Sequence, residues 1–248
     1  MKNKIVSADE WLNSRKQLLE KEKSFTKLRD EISHELRQLP WVKINKDYKF
    51  HSNAGEVNLH YLFGSNSQLI VYHFMFPNDW DEGCKSCSII TDSINPCQPH
   101  LAARDVSLVL VSRAEIKKLN AFKIRMGWTV DWVSSKDNDF NIDFNVCTDN
   151  SNDDGSYYYN YRMMSLYPSG ELPGLSVFTK DSDDNIYHSY STYGRGLEEF
   201  LGTYRLLDIV PKGRDENNLA WPMEWIKHND RYNSNAKNNC CHIHPSIE

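Results

Sequence analysis

At 248 residues, 40% hydrophobic and 25% charged, the chain is long enough to bury one sizeable α/β core with attachments and does not demand two full domains. A formal net charge of −5 and a sequence pI near 6.0 leave no basic stripe for a phosphate backbone, which excludes nucleic acid as the expected partner. Residues Met1 to Arg37 are charged throughout, and no stretch approaches the roughly 18 apolar residues of a membrane span, so a cytoplasmic protein without a membrane partner is expected.

From about Ser7 to Leu39 the pattern predicts one long helix or two abutting ones. Ser7 and Glu10 make a capping box, and Trp11, Leu18, Phe25, Ile32 and Leu39 recur at a seven-residue spacing. Leu12, Leu19, Leu28 and Leu36 widen this stripe, and Pro40 ends it. The ordinary use of such a face is packing on the chain's own core. The sharper reading is a seam for a partner, including a homodimer through this helix.

Residues Trp41 to Phe63 read as two short strands around the turn Ser52-Asn53-Ala54-Gly55. The most apolar short stretch, Leu69 to Phe76, is a buried strand. A loop follows, then a helix from Cys84 to about Ser93, ended by Pro96 and Pro99. Ser107 to Ser112 is a second buried strand, Ala114 to Met126 an amphipathic helix closed by Gly127, and Trp128 to Val133 a third strand. Strands alternating with helices predict βαβ units and a parallel core.

Phe140 to Gly174 is rich in Asn, Asp, Ser and Tyr and reads as a long, partly ordered insertion. Leu175 to Phe178 and Ile186 to Thr192 form a hairpin, and a helix spans about Leu197 to Leu207. Domain limits follow: a helical arm over 1–40, an α/β domain over 41–210 with an insertion near 141–172, a C-terminal wrap over 211–231, and a tail over 232–248 expected to be disordered.

The chemistry centres on Glu82-Gly83-Cys84-Lys85-Ser86-Cys87-Ser88. Six cysteines in a chain expected to stay in the cytoplasm should be mostly reduced, so a Cys-x-x-Cys there means redox or metal chemistry. A helix N-terminus presents unpaired N–H groups and a partial positive charge, which ease ionisation of a thiol. Cys84 at the helix start is the natural nucleophile, and Cys87, one turn inside, the natural resolving thiol. Lys85 favours the thiolate while Asp81 and Glu82 oppose it, which leaves the direction of the pKa shift open. Zinc is the second reading, since Cys84, Cys87, Cys97 and His100 give a C-x2-C-x9-C-x2-H spacing. An inert pair is the third. Cys240, Cys241, His242 and His244 are a weaker metal cluster, and Cys147 reads as a spare thiol. Tyr72 and His73 are expected to be buried and hydrogen-bonded rather than aimed at the dithiol, and Arg113 to be solvated or salt-bridged.

Pro77-Asn78-Asp79-Trp80-Asp81-Glu82-Gly83-Cys84 resembles the active-site stretch of peroxiredoxins, and Leu172-Pro173-Gly174-Leu175 resembles the proline-led strand of thioredoxins. Asp9-Glu10-Trp11, Leu39-Pro40-Trp41-Val42, the strand 69–76, the cysteine loop, Ser191-Thr192-Tyr193 with Arg195-Gly196, and Pro211 to Asp215 with Trp221-Pro222 are together similar to a bacterial thioredoxin-like family. It is catalogued as domain of unknown function 899, and its members are described as predicted dithiol–disulfide oxidoreductases. The likeness covers about residues 5 to 231.

It implies a thioredoxin-like fold, a mixed central sheet flanked by helices, with an N-terminal arm and a C-terminal wrap. It also implies catalytic Cys84 and Cys87, and substrate binding by Trp80 and by Pro173 as a candidate cis-proline. An ordinary trans proline before a strand is the plain alternative. The partners implied are a disulfide-containing substrate and a thiol reductant, with no cofactor and no metal. A thiol peroxidase and a non-catalytic thioredoxin-fold binding protein are the competing functions. Asp81 stands where peroxiredoxins carry threonine, and a carboxylate there would repel the charge developing on a peroxide.

Overall fold

Ser7 opens the first element. Its hydroxyl accepts the Glu10 N–H while the Glu10 carboxylate accepts the Ser7 N–H, both at 3.3 Å, and helix α1 runs from Ala8 to Leu36. This computed structural model describes residues 3–149, 151–165 and 170–232. The chain divides at Trp41/Val42 into two units, and α1 belongs to the first. No residue of α1 is buried, and Trp11 and Phe25 are 59% and 55% exposed. The helix rests on its cap and on charge pairs along its own surface, Arg15–Glu22 at 2.7 Å and Lys23–Glu20 at 3.0 Å.

The second unit begins with β1 (Val42–Lys43), β2 (Lys49–Ser52), β3 (Gly55–Asn58), β4 (Gln68–His73), helix α2 (Lys85–Ile94) and a short α3 (Gln98–Ala102). Next come β5 (Val106–Ser112), α4 (Ile116–Met126), β6 (Asp131–Ser134) and a one-turn α5 (Phe140–Asp143). The hairpin β7 (Ser156–Tyr159) and β8 (Arg162–Ser165), then β9 (Gly174–Lys180), β10 (Ile186–Tyr193) and α6 (Gly202–Leu207) complete it.

Eight strands form one sheet in the order β1-β10-β9-β4-β5-β6-β2-β3. β4, β5 and β6 are parallel, with Val71 opposite Val109 and Val111 opposite Val133. β9 runs antiparallel to the free side of β4, placing Gly174 opposite His73, and β10 folds back on β9. A β-α-β-α-β run followed by a hairpin on the other flank of its first strand is the thioredoxin-like order that the resemblance implied.

Strand alternation sorts the apolar runs into two cores. Tyr72, Leu108 and Leu110 face α2 and α4 and meet Ile89, Ile90, Leu119 and Phe122. Leu69, Val71, Val109 and Val111 face the opposite side, against Phe50, Phe63, Phe140 and Phe178.

The Tyr-rich insertion has more structure than its composition suggested. β7 and β8 pair across a two-residue turn whose central residues, Asn160 (φ 50°) and Tyr161 (φ 62°), are both left-handed, as a type I′ turn requires. The helix expected over 197–207 is a 3-10 segment, Gly194–Phe200, followed by the shorter α6. The tail beyond 232, with Cys240, Cys241, His242 and His244, lies outside the described residues.

Candidate active site

The cysteine loop is fixed by backbone and packing before any side-chain chemistry enters. The Cys84 N–H donates to Met75 O at 3.1 Å, and Gly83 lies so close to Phe74 that a Cβ there would stand 2.6 Å from a ring carbon. Cys84 then caps α2. Its sulfur accepts the Cys87 N–H at 3.4 Å, and its carbonyl accepts the Ser88 N–H at 2.9 Å and the Ser88 hydroxyl at 2.8 Å.

This geometry separates the two thiols, which are not bonded to each other. Cys84 is half-buried, and its pKa is lowered, first by a hydrogen bond from the Cys87 thiol and then by the N–H groups of Cys87 and Ser86, against the effect of burial. Cys87 is buried, and burial, followed by the neighbouring Cys84 sulfur, pushes its pKa well up. The two thiols titrate as a coupled pair, in which Cys84 ionises before Cys87.

The carboxylate expected to oppose the thiolate is engaged elsewhere. Glu82 accepts from Arg125 Nη1 at 2.6 Å and from Arg231, and although burial raises its pKa, the two guanidiniums bring it below the usual value. Arg125 also reaches Asp230 at 2.8 Å. Between these groups lies His228, 1% exposed, whose Nε2 donates to Gly83 O at 2.8 Å while Nδ1 stands 3.3 Å from Arg125 Nη2. The same Nδ1 lies 3.6 Å from Glu82 Oε2. The C-terminal segment thus ties down the residue immediately before Cys84.

Two hollows flank the helix start. One, of about 430 Å³, brings Trp80, Cys84 and Lys85 together with Trp221, Met223 and His228. The other, of about 480 Å³, holds Tyr72, Cys87 and Pro173 against Leu201, Tyr204 and Met223. Trp80 therefore sits with the first cysteine and Pro173 with the second. The bond before Pro173 is trans, since no cis peptide occurs among the described residues, so the cis-proline expectation fails. The backbone around it is already engaged: Leu172 N–H donates to Val146 O at 2.9 Å, and Pro173 O accepts the Tyr159 hydroxyl at 2.7 Å.

Strand alternation also splits the Tyr72-His73 pair. His73 faces the other core, its Nε2 2.8 Å from Ser176 Oγ, and burial drops its pKa to about 3, which keeps it neutral. Tyr72 faces α2 with its buried hydroxyl against the Cys87 thiol, and burial, followed by the neighbouring Cys87 sulfur, pushes its pKa well up. Arg113 is salt-bridged, as expected, to buried Glu171 and to Asp149. Cys147 is buried, which raises its pKa to about 11. Cys97 is exposed and stays apart from the dithiol; among the described residues no three His, Cys, Asp or Glu side chains converge to hold a metal. A larger hollow, about 700 Å³, lies by the N-terminal ends of β5 and β6 and is lined by none of the candidate residues.

Arg125, His228 and Arg231 were not singled out in the sequence. They lie 43, 145 and 149 residues from the loop residues they touch, and no local spacing announces such partners.

Among solved structures the chain is similar to a Cys-to-Ser mutant of peroxiredoxin Q from Xanthomonas campestris, at 14% identity over 64% of this chain and 90% of that one, with a TM-score of 0.42. It is similar also to peroxidoxin BcpB from Mycobacterium tuberculosis (14%, 68% and 97%, 0.41) and to the mitochondrial 2-Cys peroxiredoxin from Plasmodium falciparum (18%, 65% and 88%, 0.39). No residue role passes from them to this chain. No curated protein matches. The family described as bacterial protein of unknown function (DUF899) matches residues 1–232, and the chain belongs to it.

Proposed function

We propose that the protein is a dithiol–disulfide oxidoreductase. The observation that carries the reading is the asymmetry of the pair: Cys84 is a half-buried helix cap with a lowered pKa, and Cys87 is a buried thiol whose proton is held. The Cys84 thiolate attacks one sulfur of a substrate disulfide, forming a mixed disulfide and releasing the first substrate thiolate, which takes up a proton. Cys87 loses its proton and attacks the Cys84 sulfur, forming the Cys84–Cys87 bond and releasing the second thiolate. Two electrons pass to the substrate, and a thiol reductant returns them. Trp80, beside Cys84, is placed to contact the substrate.

A peroxidase is less well supported, because Asp81 occupies the threonine position of the peroxiredoxin stretch. The test uses reduction of a low-molecular-weight disulfide. Cys84→Ser should reduce turnover to the uncatalysed rate, and Cys87→Ser should accumulate the mixed disulfide as an adduct visible by mass spectrometry. Undiminished turnover by Cys84→Ser would refute the reading.

A further inference from the structure

Disulfide exchange runs with its three sulfurs near a line, and this sorts the two hollows beside the dithiol. When Cys87 attacks the mixed disulfide, it approaches the Cys84 sulfur from the side opposite the substrate sulfur. The half of the substrate retained on Cys84 must therefore lie away from Cys87. One hollow is lined by Cys84 and not by Cys87, the other by Cys87 and not by Cys84. The retained half belongs in the first.

The walls of that hollow describe what fits it. Trp80, half-buried, comes from the loop after β4, and Trp221, 60% exposed, from the C-terminal segment, where Met223 and Ile226 join it. Met223 is fixed in a left-handed backbone (φ 72°), its N–H donating to Glu216 Oε1 and its carbonyl accepting the Ile226 N–H, both at 3.0 Å. Indole rings and a thioether favour an aromatic group. The charged lining has no surplus to select an ion: Glu82 is engaged by Arg125 and Arg231, and Lys85 and Glu224 are one exposed cation and one exposed carboxylate. At about 430 Å³ the hollow is at the small end of ligand sites.

A polypeptide substrate fits less well. An extended peptide docks by pairing its backbone with a free edge. At Pro173, which borders Cys87, that edge is taken: the Leu172 N–H donates to Val146 O, and the Pro173 carbonyl accepts the Tyr159 hydroxyl.

We infer that the substrate is a low-molecular-weight disulfide whose retained half carries an uncharged aromatic ring, seated against Trp80 and Trp221. The inference rests on the dithiol–disulfide oxidoreductase reading above and narrows its substrate.

Bis(4-hydroxymethylbenzyl) disulfide and bis(2-hydroxyethyl) disulfide, both neutral, serve as probes in excess over the reduced full-length protein. Formation of the Cys84–Cys87 bond is followed by mass spectrometry, and each rate is divided by that of the same probe with dithiothreitol. The aromatic probe should react about tenfold faster. Trp221→Ala, at an exposed position, should cut that ratio several-fold. The adduct trapped by Cys87→Ser from the unsymmetrical disulfide of the two halves should carry mainly the aromatic half. Equal rates for the two probes, a ratio unmoved by Trp221→Ala, equal halves in the adduct, or faster reaction with the disulfides of insulin would overturn the inference and leave the oxidoreductase reading standing. Reaction with neither probe nor insulin, or reaction undiminished by Cys84→Ser, would instead overturn that reading itself.

Discussion

Replacing His228 by alanine tests whether the C-terminal segment sets the reactivity of Cys84. The substitution removes the donor 2.8 Å from Gly83 O and leaves a carbonyl without its partner, at a cost of about 1–3 kcal/mol. It also removes an edge-to-face contact with Phe122, 5.2 Å between ring centres, worth about 1 kcal/mol. A loss of about 2–4 kcal/mol in urea unfolding is expected, a large share of the roughly 5–15 kcal/mol typical of a domain. The more specific consequence concerns pH. The Cys84 pKa is depressed by bonds that hold only while Gly83 and Cys84 keep their places, so loosening them moves the midpoint of the alkylation–pH profile upward. A change in exposure alone would alter the rate at every pH and leave the midpoint fixed. His228→Gln, whose amide can still donate to Gly83 O, should recover part of both effects. A stability loss below about 0.5 kcal/mol with an unmoved midpoint would refute the reasoning.

Two further outcomes are expected. Burial pushes the Glu171 carboxyl up to about 7 despite its bond to Arg113, so the native state binds a proton that the unfolded chain releases near 4.5. Stability from this group is complete below pH 4.5 and is lost as pH rises through 7, by about 3 kcal/mol; Glu171→Gln should flatten that fall in pH-dependent unfolding, and an unchanged slope would contradict the assignment. For the seven-residue stripe of α1, a seam with a second copy of the same helix is the proposal to test. Leu18→Glu with Phe25→Glu should then turn a dimer into a monomer in sedimentation, and a monomeric parent protein at tens of micromolar would exclude the seam.

The sheet core and the dithiol were legible because their signals are local. The apolar runs 69–76 and 107–112 read as buried strands, and they are the paired centre of the sheet, β4 and β5. The Cys-x-x-Cys after β4 implied a helix start, and Cys84 is the cap of α2. Composition misled at 156–165, where Asn and Tyr suggested a loop. A tyrosine at alternate positions packs inward while Asn160 supplies the left-handed turn, so the segment is a hairpin. The stripe of α1 marks the limit of such signals, because periodicity reveals an apolar face without naming its cover. The sequence also left the sign of the thiol's shift open, since Asp81 and Glu82 adjoin it and the cations that engage Glu82 come from α4 and the C-terminal segment.

That engagement bears on the order of steps in the proposed reaction. In the free dithiol, Cys87 is kept protonated by burial and by the charge it would share with Cys84. Formation of the mixed disulfide removes the second cause, because the Cys84 sulfur then carries no charge and needs no hydrogen bond. Burial, the largest effect, still opposes ionisation, while the Tyr72 hydroxyl and the Met75 N–H favour the Cys87 thiolate. In the proposed reaction, one of the two causes that hold the proton on Cys87 is thus lifted once Cys84 has reacted. The proposed reaction would then be ordered by the coupling of the two thiols rather than by a separate base.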